Sequence, residues 1–187
     1  HFRTDAEAPA RLSHIGTRTP ILANDGVDLA AAVQTIREIG NAAGLDAAVQ
    51  DAFPKSQLHI ETNAGRFSVV MEQHGLLRPL DAAELSDGTL RYLLWIAALL
   101  TPRPPALMVL NEPETSLHPD LLAPLGRLIA QASRQTQILA VTHALALIKS
   151  LKEQPACNSL TLEKSFGETK LLSFKPLELP PWSWPER

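Results

Sequence analysis

The sequence predicts an α/β domain with a parallel-strand core, flanking helices and antiparallel hairpins at its periphery. Three observations carry this. Two short, continuously apolar runs, residues 107–110 and 138–141, flank a segment of helical period, the pattern of a βαβ unit with a right-handed crossover. Around Asn63-Ala64-Gly65 the period changes to two, which marks a hairpin. The 187 residues are 45% hydrophobic and 20% charged, a globular balance in a chain long enough to form a core without metal or disulfide.

Taken in order, residues 1–26 show polar and turn-forming types without sustained period and are expected to be a loosely ordered entry segment. Leu29, Ala32, Val33, Ile36 and Ile39 recur at helical spacing behind a potential cap, Asp28, and ahead of a stop, Gly40. A short helix is expected over 45–53, closed by Pro54. Leu58, Ile60 and Thr62 alternate with His59 and Glu61, and residues 67–71 return as the second strand of the hairpin. Residues 79–85 read as a connector. Residues 88–100 carry Leu90, Leu93, Leu94, Ile96, Ala97, Leu99 and Leu100, apolar nearly all round and therefore a buried helix.

The first parallel strand, 107–110, is expected to be fully buried and to run into Asn111-Glu112-Pro113-Glu114. Pro119 and Asp120 suit a helix start, followed by the apolar face of Leu121, Leu122, Leu125, Leu128, Ile129 and Ala132. Pro124 inside that helix should kink it or delay its regular start. The second buried strand, 138–141, ends in Thr142-His143, and a helix is expected over 144–151. Residues 160–164 and 170–174 around Gly167 read as a closing hairpin. The main body is thus expected to span 27–179. Residues 180–187, with Trp182 and Trp184 among prolines, form a tail whose tryptophans are expected to pack against the domain.

Composition excludes several function classes. Seventeen Lys and Arg face 20 Asp and Glu, a net charge of -3, which lends no support to bulk nucleic-acid binding and leaves room only for a local patch. No run is long enough for a membrane span and no export signal opens the chain, so a cytoplasmic location is expected. The single Cys157 excludes an intrachain disulfide. His14, His59 and His74 have no partner at metal-ligand spacing and read as structural. Arg37, Arg127 and Arg134 read as solvated helix charges.

Parallel strands place ligand sites beyond their carboxyl ends. Both apolar strands end in hydrogen-bonding or ionisable groups, Asn111 and Glu112 on one, Thr142 and His143 on the other. If the strands are neighbours, a carboxylate and an imidazole share one rim, a pair suited to activating water and sensing phosphate. A second constellation, Leu85-Ser86-Asp87-Gly88-Thr89, opens the buried helix. Ser86 or Asp87 can cap it, Gly88 allows close approach to the backbone, and free N–H groups at such a start attract phosphate.

The order Leu85-Ser86-Asp87-Gly88-Thr89, then Leu110-Asn111-Glu112-Pro113-Glu114-Thr115-Ser116-Leu117-His118-Pro119, then Val141-Thr142-His143 resembles the C-terminal half of an ABC-type ATPase domain. It looks most like the stand-alone bacterial ATPases of the AAA-21 kind, relatives of the SMC and RecF proteins, over about residues 80–152. The resemblance implies a partial P-loop NTPase lobe and a dimer that sandwiches ATP and Mg²⁺. It assigns Ser86, Asp87 and Gly88 to the signature motif that contacts the γ-phosphate of nucleotide held by the opposite subunit. Glu112 is then the catalytic carboxylate, His143 the switch histidine, and Thr115, Ser116, Leu117 and His118 the loop crossing the dimer interface.

Two departures accompany the resemblance. Asn111 stands where the family usually has the magnesium-associated Asp, so weaker Mg²⁺ binding is expected. No G-x-x-x-x-G-K-[ST] phosphate loop occurs in the chain. The sequence opens at His1-Phe2-Arg3 without an initiator Met. The expectation is therefore a C-terminal piece of a longer protein whose phosphate-loop lobe lies upstream, and which alone neither binds ATP tightly nor hydrolyses it. The alternative is a nucleotide-gated clamp or regulatory module with weak or lost hydrolysis.

Overall fold

The structure, a computed structural model, describes residues 2–172. The entry segment is better anchored than its sequence suggests. It holds a 3-10 turn, Pro9–Arg11, and a short strand β1 (His14–Ile15). Ala8 and Ala10 are buried, and so is Arg11. No periodic apolar face announces this, because two small residues and one guanidinium do the anchoring.

Helix α1 (Leu29–Ile39) buries Leu29, Val33 and Ile36 and ends at Gly40. Asp28 sits at its N-cap, but its carboxylate accepts from Ala23 N at 2.9 Å and fastens the preceding turn instead of the helix. Helix α2 (Ala42–Ala52) starts earlier than expected because the Asn41 side chain accepts from Gly44 N at 2.8 Å, an N-cap. Arg37 binds Asp46 and Arg127 binds Asp51, both at 2.8 Å. These two arginines therefore tie elements together and are not simply solvated.

Strands β2 (Gln57–Asn63) and β3 (Arg66–Glu72) form the expected hairpin, closed by the pair Asn63–Arg66. Its two loop residues, Ala64 and Gly65, have φ of 48° and 76°, the left-handed values a tight hairpin turn requires. The connector expected over 79–85 contains a short strand β4 (Leu80–Asp81) and a 3-10 turn, Ala82–Glu84. β1 and β4 share the edge of β3 opposite β2, all antiparallel.

Helix α3 (Asp87–Leu99) is the centre of the core, with Leu90, Tyr92, Leu93, Leu94, Ile96 and Ala97 fully buried. It packs against α1, α2 and α4. Strand β5 (Leu107–Asn111) leads through a loop and a 3-10 turn, Pro119–Leu121, into α4 (Leu122–Ala132). Pro124 falls in the first turn of α4, where its missing N–H needs no partner. The regular helix starts late and does not kink at this residue.

Strand β6 (Gln137–Val141) pairs parallel with β5, from Leu107–Gln137 to Asn111–Val141. The crossover through α4 completes the expected βαβ unit. The strands are not fully buried, however. Met108, Leu110, Ile138 and Ala140 pack on the core, whereas Leu107, Val109, Leu139 and Val141 are half exposed. Successive side chains alternate between faces, and helices cover only one face of this pair.

Helix α5 (Leu145–Lys152) packs on α4, and β7 (Leu162–Ser165) and β8 (Glu168–Leu171) form the closing hairpin around Phe166 and Gly167. Its second strand starts two residues earlier than expected and spans Glu168–Leu171, while residues 173 and 174 of that expectation lie outside the described residues. Residues 173–187, and with them the tail expectations for Trp182 and Trp184, lie outside the described residues. Among the described residues no helix is long and apolar enough to cross a membrane.

Candidate functional site

The site grows from the ends of the two parallel strands. Asn111 opposes Val141 as the last registered pair, and Glu112 N donates to Val141 O at 2.8 Å, extending the ladder by one step. Glu112 itself has φ of 46°. A non-glycine residue in the left-handed region stores backbone strain, and here it turns the chain sharply out of β5. Pro113 is buried behind it, and its carbonyl accepts from Trp95 Nε1 of α3 at 3.0 Å, so the loop is fastened to the core helix.

Past Val141, Thr142 and His143 leave β6 on the same rim. His143 Nδ1 lies 3.7 Å from Glu112 Oε1 and 3.6 Å from Glu114 Oε1, an ion-pair separation when the imidazole is protonated. The His143 ring is 80% exposed and the Glu112 side chain 48%, so both are open to a ligand, whereas Glu114 is 9% exposed. Glu114 Oε1 accepts from Thr142 Oγ1 at 2.6 Å and from His143 N at 3.2 Å. Burial pushes its carboxyl pKa up, but the Thr142 hydroxyl and surrounding backbone N–H groups outweigh burial and hold it below the ordinary carboxylate range.

The loop after Glu112 folds on itself through Thr115 N to Glu112 O at 3.1 Å and Leu117 N to Glu114 O at 3.0 Å. Thr115, Ser116 and His118 are exposed, and Leu117 packs on the core. His118 Nδ1 accepts from Asp120 N at 3.3 Å and so caps the turn that follows.

At the start of α3, Ser86 takes the capping role. Its Oγ accepts from Thr89 N at 3.1 Å while the side chain stays exposed. Asp87 does not cap; it pairs with Arg11 at 2.6 Å. A Cβ at Gly88 would stand 3.1 Å from Ser116 O. The glycine therefore lets the first turn of α3 lie against the 112–118 loop, and the structure brings these two motifs into contact.

Sequence reasoning missed Arg11. Its guanidinium, 6% exposed, donates to the carbonyls of Thr4, Asp5, Ala82, Ala83 and Leu85 besides the Asp87 carboxylate. It thereby shapes the loop that delivers Ser86. Backbone carbonyls carry no sequence signature, so nothing in the chain points to this residue.

Among the described residues no three His, Cys, Asp or Glu side chains are grouped to hold a metal ion. Asn111 and Glu112, consecutive at the end of β5, are both exposed and carry an amide and a carboxylate. That donor set suits a hard cation that keeps most of its own water.

These features define a class: an α/β domain of the P-loop NTPase fold, in the arrangement of SMC ATPase heads. An SMC structure from work on ATP-driven dimerisation and DNA-stimulated activation of SMC ATPases superposes with a TM-score of 0.58 at 12% identity, over 75% of this chain and 85% of that one. The Smc head with coiled coil and joint from Pyrococcus yayanosii gives 0.58 at 14% identity, over 74% of this chain and 27% of that one. The SMC head domain from Thermotoga maritima gives 0.54 at 16%, over 78% and 50%. The chain thus spans half or less of the last two. No curated protein matches it by sequence. The chain belongs to the family described as "AAA domain, putative AbiEii toxin, Type IV TA system", whose profile matches residues 18–149.

Proposed function

We propose that the chain supplies one half of an ATP-hydrolysing site that works as a nucleotide-sandwich dimer, in a longer protein carrying the phosphate loop. The observation that carries this reading is the approach of Glu112 and His143 to 3.7 Å beyond the carboxyl ends of adjacent parallel strands. Phosphoryl transfer needs little covalent chemistry from the protein; it needs an oriented water and groups that answer charge on the transferred phosphoryl. Glu112 orients and polarises the water, and His143 reads the γ-phosphate. Ser86, Asp87 and Gly88 present the amides of the α3 start to nucleotide held by the second subunit, with Arg11 offsetting the Asp87 charge that would otherwise repel it. Thr115, Ser116, Leu117 and His118 meet that subunit. Asn111 and Glu112 would help to hold Mg²⁺, which would supply neutralisation of the phosphate charge.

The test is Glu112→Gln in the full-length protein. ATP binding should persist, phosphate release should cease, and an ATP-dependent dimer should last longer. Unchanged turnover removes Glu112 from this role. The 187-residue chain alone should show no steady hydrolysis.

Asn111 favours a second reading, a nucleotide-gated clamp with slow hydrolysis, because an amide contributes one negative charge fewer to the cation than the Asp usual in the family. Asn111→Asp should then raise phosphate release strongly at fixed Mg²⁺. Brisk turnover in the parent protein excludes a mere clamp.

A further inference from the structure

Glu114 has no role in the reading above, yet it is the most deeply set carboxylate at the rim. Its side chain is 9% exposed. One oxygen, Oε1, collects the Thr142 hydroxyl at 2.6 Å and the His143 N–H at 3.2 Å, while Oε2 is buried with no hydrogen-bond partner. An orphaned buried acceptor opposes folding, so stability alone does not account for a carboxylate here. Its position has a geometric effect instead. Glu114 lies on the loop after β5, and both of its donors lie on the segment after β6.

The clamp extends one step further. Thr142 Oγ1, while donating to Glu114, accepts from Ala144 N at 3.1 Å. Ala144 is the N-cap residue of α5 and has no side-chain cap of its own, so the Glu114–Thr142 pair also fixes where α5 begins. His143 sits between these two bonded residues. Glu112 and Glu114 are the carboxylates within ion-pair distance of its ring among the described residues.

We propose that Glu114 is a positioning residue: its buried carboxylate ties the Thr142–His143 segment to the loop after β5 and so sets the distance between the His143 imidazole and the Glu112 carboxylate. The role rests on reading that pair as the reactive site, but the tie itself is measurable without turnover.

Nuclear magnetic resonance on the 187-residue chain observes the His143 amide proton. In the parent it should lie downfield and exchange slowly with solvent, as the 3.2 Å bond to the Glu114 carboxylate requires. Glu114→Gln, which keeps shape but offers a neutral acceptor, should weaken this bond and move the His143 amide upfield. Glu114→Ala should speed exchange at this amide about tenfold, the loss of one hydrogen bond to a charged group, with the melting curve and distant amides unchanged. If Glu114→Ala does not fold, Thr142→Val cuts the same tie from the other side and should shift the His143 amide likewise. A His143 amide indifferent to Glu114→Gln and to Thr142→Val overturns the tie.

In the full-length protein, Glu114→Gln should lower kcat about tenfold while KM for ATP stays put, since the displaced group acts on the reacting water and not on nucleotide capture. Unchanged kcat, in a protein that Glu112→Gln inactivates, overturns the positioning role and leaves the reading of Glu112 standing. Turnover that survives Glu112→Gln removes that reading instead, and the positioning role with it.

Discussion

Replacing Arg11 by Ala removes the guanidinium that gathers the loop ahead of α3. Three of its acceptors, the carbonyls of Thr4, Ala82 and Leu85, make buried bonds to it at 2.7–3.1 Å. Each carbonyl left without a donor costs about 1 kcal/mol or more, so the loss should reach about 3 kcal/mol. The Asp87 carboxylate adds little, because its side chain is 58% exposed and such pairs contribute about 0–1 kcal/mol. For a domain of this size about 3 kcal/mol lowers Tm by about 6–12 °C. The assay is urea unfolding with thermal melting of the parent, Arg11→Ala, Arg11→Lys and Asp87→Asn. Lys should recover part of the loss, since one ammonium has three donors for five carbonyls and cannot span them. Asp87→Asn should stay below about 1 kcal/mol. If Arg11→Ala changed stability by less than about 0.5 kcal/mol, or no more than Asp87→Asn, the carbonyl cage would not be what holds this loop.

Two further expectations follow from buried and bonded groups elsewhere. Tyr92 OH is buried without a hydrogen bond while its ring meets Phe53 edge-on at 5.5 Å. Tyr92→Phe keeps the ring contact and deletes the orphan, so urea unfolding should show equal stability or a gain of about 1 kcal/mol; a clear loss would mean the hydroxyl has a partner. Glu84 is held at a pKa of about 2 by hydrogen bonds from the Arg78 side chain and the Asp81 backbone. Because this folded value lies below the unfolded one, the stabilisation is present above the ordinary carboxylate range and is lost as pH falls toward 2. Carboxyl titration followed by magnetic resonance should show this, and Arg78→Ala should return Glu84 toward its ordinary value.

The βαβ unit and the buried α3 were legible because unbroken apolar runs flanking helical periods leave few alternatives. The polar ends of β5 and β6 were legible for the same reason, since an apolar strand that stops at Asn111-Glu112 or Thr142-His143 marks its own rim. The exposed outer faces of these strands were not. A run such as Leu107-Met108-Val109-Leu110 reads alike whether one or both faces are covered. Nor could residue type and spacing separate Glu112 from Glu114; only the motif resemblance did. They lie two residues apart, and only the left-handed turn at Glu112 sends one carboxylate to solvent and the other inward. β1 and Arg11 escaped notice because their partners are distant backbone groups. Capping was half legible: Ser86 did cap α3, whereas Asp28 serves the turn before its helix.

The positive φ at Glu112 sets durability against chemistry at a single position. Any side chain there carries the cost of that backbone geometry, and glycine carries least of it. A collection of variants screened only for heat resistance should therefore drift toward Gly at 112, gaining tolerance while discarding the carboxylate that faces His143. Engineers seeking a hardier form of this domain should hold residue 112 fixed and look for their gains elsewhere.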